Sequence, residues 1–156
     1  YRRGWWANPD LPHGKAGMDR PLNVDDVETV SLESTATDDA AWVGGYFAYG
    51  GNGSESSTAI HFAIPPGKRL GRHYDTAEET QYFIGGEGEL LLDEGAVPVR
   101  QGDLIVLEQG RFHDLRNTGE QDLRVVGFFS SPQVEQHWTE ERWPPDDQAV
   151  TGTPNR

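Results

Sequence analysis

The chain of 156 residues contains no cysteine, so disulfide bonds, thiolate metal ligands and cysteine nucleophiles are all excluded. Lysine is nearly absent, and 13 basic residues stand against 26 acidic ones, which gives a net charge of −13. A field of that sign repels a phosphate backbone, so we expect no nucleic-acid partner. The sequence shows no signal peptide and no apolar run near the roughly 18 residues of a membrane span. We therefore expect a soluble, cytoplasmic protein with no membrane partner.

Long amphipathic helical patterns are also missing between Val27 and Phe129. This part instead has short runs rich in β-branched and aromatic residues, separated by turn sequences such as Asn52-Gly53-Ser54. We predict strands over residues 27–32, 41–49, 58–64, 81–84, 89–92, 97–100, 103–107 and 123–129. The two runs that flank the glycine-rich residues 85–88 are predicted to pair as a hairpin. Many short, evenly spaced strands predict an all-β sandwich or barrel, of which the jelly roll is one form.

The flanking segments differ from this central part in composition. Residues 1–26 carry three prolines and three glycines without periodicity, and we predict an irregular N-terminal arm. Its adjacent Trp5 and Trp6 predict docking on the barrel or on a partner subunit. Residues 27–131 are predicted to form the β-barrel domain. Residues 132–156 are predicted to be a tail, with a short helix over residues 133–142 and a loose terminus.

The stretch from Gly67 to Asn117 holds the candidate metal ligands. His73 and Asp75 stand two residues apart, so in an extended strand they face the same side. Glu79 follows a short polar break, and His113 comes after several predicted strands, as expected of a ligand from a neighbouring strand. Each residue alone is more often a surface or core residue, but four together favour a metal site. Two imidazoles and two carboxylates suit a divalent iron, manganese, nickel, cobalt or zinc ion.

The glycine spacing around these residues resembles the two motifs of the cupin family. The first motif is matched by Gly67, His73, Asp75, Glu79 and Gly86, with Asp75 in place of the usual second histidine. The second motif is matched by Gly102, Glu108, Gly110, His113 and Asn117, with Glu108 in place of the usual proline. Eight of the ten fixed positions therefore agree in register.

The resemblance implies a double-stranded β-helix, the jelly-roll barrel of cupins, with one divalent metal ion per chain, iron or manganese favoured. It leaves the reaction open, because that fold hosts many activities. Asp75 makes the set resemble the two-histidine, one-carboxylate triad of iron oxygenases, which favours an oxygen-dependent, dioxygenase-like enzyme acting on a small oxygen-bearing molecule. The alternatives are a metal-dependent isomerase, lyase or cyclase without redox chemistry, and a non-catalytic binding or sensing module. The resemblance also implies a homodimer.

Four further residues have candidate roles. Gln81 shares the strand face of Glu79, and we predict that its amide orients a metal-bound water or a substrate oxygen. His61 faces either the cavity or the opposite side of its strand. Arg124 follows His113 by eleven residues, near the position where related oxygenases hold a co-substrate. Asn117 is predicted to close a turn.

Overall fold

The structure, a computed structural model, describes residues 21–154. Two short 3₁₀ helices occur there, at Val24–Asp26 and Gly50–Asn52. The strands are β1 (Val30–Glu33), β2 (Ala41–Ala48), β3 (Thr58–Ile64), β4 (His73–Asp75), β5 (Glu79–Gly85), β6 (Glu87–Leu92), β7 (Gly95–Arg100), β8 (Leu104–Leu107), β9 (His113–Asn117), β10 (Leu123–Phe129), β11 (Glu135–Trp138) and β12 (Val150–Gly152).

These strands form two antiparallel sheets. The first has the order β1-β2-β3-β10-β5-β8 and the second has the order β12-β11-β4-β9-β6-β7. Sequence neighbours often lie in different sheets, so the chain passes back and forth between the two layers. This arrangement confirms the all-β, double-stranded β-helix predicted from the motifs.

The core lies between the two sheets because the inward positions of the strands are apolar. Phe83, Leu90, Leu115 and Val125 are completely buried there. Phe83 and Leu90 alternate with more exposed residues along their strands, whereas Leu115 and Val125 lie in runs of buried residues. Period-two alternation of this kind is what a sheet with one buried face requires. The first sheet contributes Glu79 from β5, and the second contributes His73, Asp75 and His113, so the candidate ligands meet at the interface of the layers.

The predicted hairpin across the glycine-rich residues 85–88 is wrong. β5 pairs with β10 and β8, whereas β6 pairs with β7 and β9. Gly86 has a φ of +80°, and a side chain on it would collide with the carbonyl oxygen of Asp122. The chain uses this turn to cross from the first sheet to the second. The hairpin forms one strand later, between β6 and β7.

The helix predicted over residues 133–142 is also wrong. Part of that segment forms β11, which pairs with β4 on one side and with β12 on the other. Gln136 and Trp138 point into the barrel, and Trp143 beyond the strand is completely buried. The segment has the two-residue alternation of a strand, so its inward positions supply core and cavity residues. The tail is therefore an integral part of the second sheet.

The N-terminal arm is described only from Pro21 onward, so Trp5 and Trp6 lie outside the described residues. Asp25 in the first 3₁₀ helix forms an ion pair with Arg124 on the outer face of the first sheet. That same outer face exposes Tyr82, Leu104, Val106 and Phe128. Among residues 21–154, no helix has the length and apolar character needed to cross a membrane.

Candidate metal centre

Three strands bring the predicted ligands together. His73 and Asp75 share the inward face of the short strand β4, and His113 at the start of β9 lies directly opposite His73 in the antiparallel pairing. All three side chains are buried, and their ligand atoms lie within 4.8 Å of one another. Glu79 enters from the first sheet, with Oε2 3.8 Å from Nε2 of His113. The four predicted residues therefore converge, with Glu79 outside the tight group of three.

Each imidazole presents an unprotonated nitrogen to the centre. His73 Nδ1 donates to the carbonyl oxygen of Gly71 at 2.8 Å, and His113 Nδ1 donates to that of Arg111 at 2.9 Å. A carbonyl only accepts, so Nδ1 carries the proton and Nε2 carries a lone pair. Burial lowers the pKa of His113 to about 4 and holds that of His73 well below its usual range. Both rings are thus neutral and correctly oriented to bind a metal ion.

Asp75 is a buried carboxylate that accepts no close hydrogen bond, although the Gln136 side chain lies near enough to lower its pKa. Among the described residues, neither of its oxygens has a partner, and the same is true of His113 Nε2. Asp75 Oδ2 lies 3.4 Å from His113 Nε2 and 3.8 Å from His73 Nε2. Ligand atoms that share one ion at about 2.1 Å lie roughly 3 to 4 Å apart. Unpartnered buried polar atoms are costly, and a divalent ion is a partner that this group of atoms could hold.

Burial also changes the protonation of the two carboxyl groups. It raises the pKa of Asp75 to about 7, although the nearby Gln136 side chain acts in the opposite direction. Burial, and then the charge of Asp75, raise the pKa of Glu79 well above its usual range. A positive ion would remove this penalty, because it stabilises the ionised form of each carboxylate.

The Glu79 carboxylate is positioned by a hydrogen bond from Gln81, and it occupies space that Gly127 leaves free. Gln81 Nε2 donates to Glu79 Oε2 at 3.0 Å. On the neighbouring strand β10, a Cβ added to Gly127 would lie only 2.4 Å from Glu79 Oε1. The glycine therefore leaves the space that this carboxylate occupies.

A charged network behind the centre fixes the backbone beside both histidines. Arg69 binds Asp114 and Glu141 at 3.0 and 2.6 Å, and both acids are buried. Asp114 Oδ1 then accepts from the backbone N–H of Gly71, the residue whose carbonyl oxygen holds His73. Since Asp114 directly follows His113, one network anchors the backbone next to both histidines.

The centre opens onto a cavity of about 30 Å³ with mostly apolar walls. It is lined by Trp42, Ile60, Phe62, Leu70, Phe129, Gln136 and Trp138, together with His73, Asp75, Glu79 and Gln81. The prediction missed Gln136 and Trp138, which come from β11. Trp138 lies 4.4 Å from the His73 ring, and Gln136 Oε1 accepts from the Tyr46 hydroxyl. No motif marks these residues, because strand pairing far along the chain brings them to the cavity.

The other candidates lie away from the centre. His61 is buried on the opposite face of β3 from the cavity-lining residues Ile60 and Phe62. Arg124 is on the outer face of β10, paired with Asp25, so it does not hold a co-substrate in the cavity. Asn117 binds the backbone of Ile64, Gly119 and Gln121, which confirms its turn role.

Comparison with known proteins now identifies the family. Residues 60–129 match the family model of the cupin domain. The chain contains a cupin domain over these residues. The oxalate-binding protein of Thermotoga maritima is 36% identical over 67 residues, which cover 42% of this chain and 55% of that protein. Protein SchB of Streptomyces halstedii is 34% identical over 64 residues, which cover 40% of this chain and 46% of that protein. The matched part spans about half of each of these relatives.

Solved structures extend the likeness in fold to most of this chain. The polyketide cyclase RemF from Streptomyces resistomycificus superposes with a TM-score of 0.62 at 17% identity, covering 82% of this chain and 88% of that chain. A predicted oxalate decarboxylase from Thermotoga maritima gives a TM-score of 0.61 at 19% identity, covering 72% and 99% of the two chains. At these identities the comparison establishes the fold alone.

Proposed function

We propose that this cupin is a metal-dependent enzyme that acts on a small oxygen-bearing organic molecule inside the barrel. The observation that carries the proposal is the convergence of two unprotonated Nε2 atoms with a buried, unpartnered carboxylate. His73, Asp75 and His113 would hold the ion, with Glu79 as a fourth ligand from the opposite sheet. A divalent ion bound there would supply Lewis acidity, and iron would add oxygen chemistry.

The chain's own residues position and protect whatever binds beside the ion. Gln81 keeps one amide hydrogen on Glu79, and its Oε1 is buried without a partner among the described residues. That oxygen is therefore available to accept a hydrogen bond from a substrate hydroxyl or a water molecule. The aromatic walls exclude bulk water from the same space, which strengthens every polar contact inside it.

Oxygen-dependent chemistry is the first candidate, with iron or manganese as the ion. Two imidazoles and one tightly grouped carboxylate form a set that leaves coordination positions open for substrate and oxygen. With Glu79 as a fourth ligand, a six-coordinate ion would still keep two positions open.

Isomerase, lyase or cyclase chemistry without redox is the second candidate, and Glu79 is the observation that favours it. Burial and the charge of Asp75 raise its pKa, although the hydrogen bond from Gln81 acts in the opposite direction, so this carboxyl group holds its proton more strongly than an exposed one does. A carboxyl group of that kind is suited to general acid–base catalysis at the cavity wall. The cyclase among the structural neighbours agrees with this candidate in fold only.

Two measurements test the proposal. The first is the proton relaxivity of water in protein loaded with Mn²⁺: a catalytic site keeps an exchangeable water, whereas a fully enclosed structural ion does not. Relaxivity no higher than that of an enclosed ion would favour a non-catalytic binding module.

The second measurement follows oxygen uptake and product formation by iron-loaded protein with a panel of small hydroxy and keto compounds. Oxygen uptake that depends on one compound supports the first candidate, and turnover without uptake supports the second.

A further inference from the structure

The fixed charges around the cavity are of one sign. Among the residues that line it, Asp75 and Glu79 are acidic and none is lysine or arginine. The nearby arginines are engaged elsewhere: Arg69 with Asp39, Asp114 and Glu141, Arg72 with Asp93, and Arg111 with Glu94. Even with a divalent ion in place, two carboxylates would leave no excess positive charge.

Carboxylate and phosphate ligands need a different kind of site. Proteins hold these groups with guanidinium or ammonium groups, or with backbone N–H groups at helix N-termini, none of which lines this cavity. A carboxylate that entered would lose its hydration and find only one ion, already neutralised by its own ligands. Such a ligand is therefore disfavoured.

The aromatic walls and the unpartnered Oε1 of Gln81 favour a ligand that is neither a carboxylate nor a phosphate ester. Trp42, Phe62, Phe129 and Trp138 form an aromatic surface that stabilises apolar molecules by burial. Gln81 directs its amide nitrogen to Glu79, because a carboxylate only accepts, so Oε1 remains as an acceptor. A hydroxyl group on the ligand would satisfy that acceptor.

We infer that the site takes a neutral, hydroxyl-bearing, largely apolar molecule, and that it discriminates against small carboxylates and phosphate esters. This inference rests on the proposed function, since it concerns the same cavity. The cavity of about 30 Å³ is smaller than the volume of about 150 Å³ that holds a benzene ring in a protein. A ring therefore enters only when a wall residue moves, and two of the wall residues are tryptophans that report the movement by fluorescence.

The experiment compares ligands that differ in one group. Benzyl alcohol and benzoate share a ring, and glucose 6-phosphate represents phosphate esters. Each is titrated into full-length protein loaded with zinc, a redox-inactive ion, and into metal-free protein, with tryptophan fluorescence and calorimetry as readouts. We expect benzyl alcohol to bind at least about tenfold more tightly than benzoate, with no measurable binding of glucose 6-phosphate. Equal or tighter binding of either anion, or no binding of benzyl alcohol, would overturn the inference.

A pair of variants tests the role of Gln81. Gln81→Leu removes the acceptor, and we expect it to weaken benzyl alcohol binding about tenfold. Thr80→Leu, at the adjacent outward position of β5, should leave binding unchanged. An equal effect of both variants would contradict the assignment.

Zinc content measured on the same samples separates this inference from the proposed function. Protein that retains zinc but prefers benzoate refutes the ligand class alone. Protein that retains no zinc refutes the proposed function, and the metal-free titrations still decide whether the cavity prefers a neutral ligand.

Discussion

Burial shifts the pKa values of the imidazoles and of the carboxyl groups of the metal centre in opposite directions. It lowers the pKa of both histidines, because it penalises their charged form, and it raises the pKa of Asp75 and Glu79 for the same reason. Without an ion the folded protein therefore keeps two neutral rings and two carboxyl groups that resist ionisation. An ion reverses the preference of the carboxyl groups, so metal binding and proton release are coupled.

The first prediction at this scale concerns pH. A raised carboxyl pKa means that the folded chain binds more protons than the unfolded chain above the ordinary pKa, so stability falls as pH rises. The lowered pKa values of His113, about 4, and of His73 and His61 have the opposite effect, which fades as pH rises past about 6.5, because the unfolded imidazoles then lose most of their protons. We therefore expect the Tm of metal-free protein to fall between pH 6.5 and 8, as measured by calorimetry.

Repeating the pH series with two variants identifies the group that causes the fall in Tm. Asp75→Asn removes one of the two buried carboxyl groups of the metal centre and the charge that acts on Glu79, so its Tm should fall less over this range. Asp122→Asn changes an exposed residue and should behave as the wild type. A fall in Tm that is identical in all three proteins would show that other groups cause it.

At the scale of elements, the ligands on β4 and β5 could be predicted from the sequence, whereas the cavity residues on β11 could not. His73, Asp75 and Glu79 could be placed because strand parity and a short break between strands are local properties. Gln136 and Trp138 could not, because their position depends on pairing between β11 and β4, about sixty residues apart. The glycine-rich turn between β5 and β6 shows the same limit, since local turn signals do not reveal which sheet the next strand joins.

The second prediction tests Gly127 on strand β10. Gly127→Ala would place a methyl group against Glu79 Oε1, and the flexible carboxylate would move rather than the backbone. We expect the variant to fold and to bind the metal about 10 to 100-fold more weakly, as measured by competition with a chelator. Gly85→Ala is the control, because its Cβ would make only ordinary contacts. Unchanged affinity of the Gly127 variant would show that Glu79 is not a ligand.

The third prediction concerns the C-terminal strands. A chain that ends at Pro132 lacks β11 and β12 and loses the buried Val134, Trp138 and Trp143. We expect it to lose the cooperative thermal transition seen by circular dichroism, because the second sheet and one cavity wall are then incomplete. A chain that ends at Pro154 should melt as the full chain does. A stable, cooperative fold in the shorter chain would contradict the place given to these strands.

At the scale of the whole molecule, one face of the first sheet differs from the rest of the surface. The chain has a net charge of −13, yet the outward positions Tyr82, Leu104, Val106 and Phe128 are apolar and exposed. β8 is also an edge strand of its sheet. An apolar face beside an open strand edge favours association, and it is a surface where two acidic copies can approach without repulsion.

The homodimer therefore stays a prediction, now with a location. Leu104→Glu places a charge on this face and should convert a dimer to a monomer in light scattering. Val97→Glu is the matched control, because Val97 is exposed on β7 of the other sheet and its replacement should leave the dimer intact. A chain lacking residues 1–24 tests whether the arm contributes. A monomeric full-length protein would rule out the dimer.

The metal content of protein purified without an affinity tag, compared with that of His73→Ala and His113→Ala, decides whether the centre binds an ion. We expect about one iron, manganese, nickel, cobalt or zinc ion per chain, lost in both variants while circular dichroism shows the same fold. The contrary result is a wild-type protein that carries no metal and binds none of these ions at micromolar concentration. The unpartnered atoms of the centre would then need another explanation, and the protein would be a binding module without a metal.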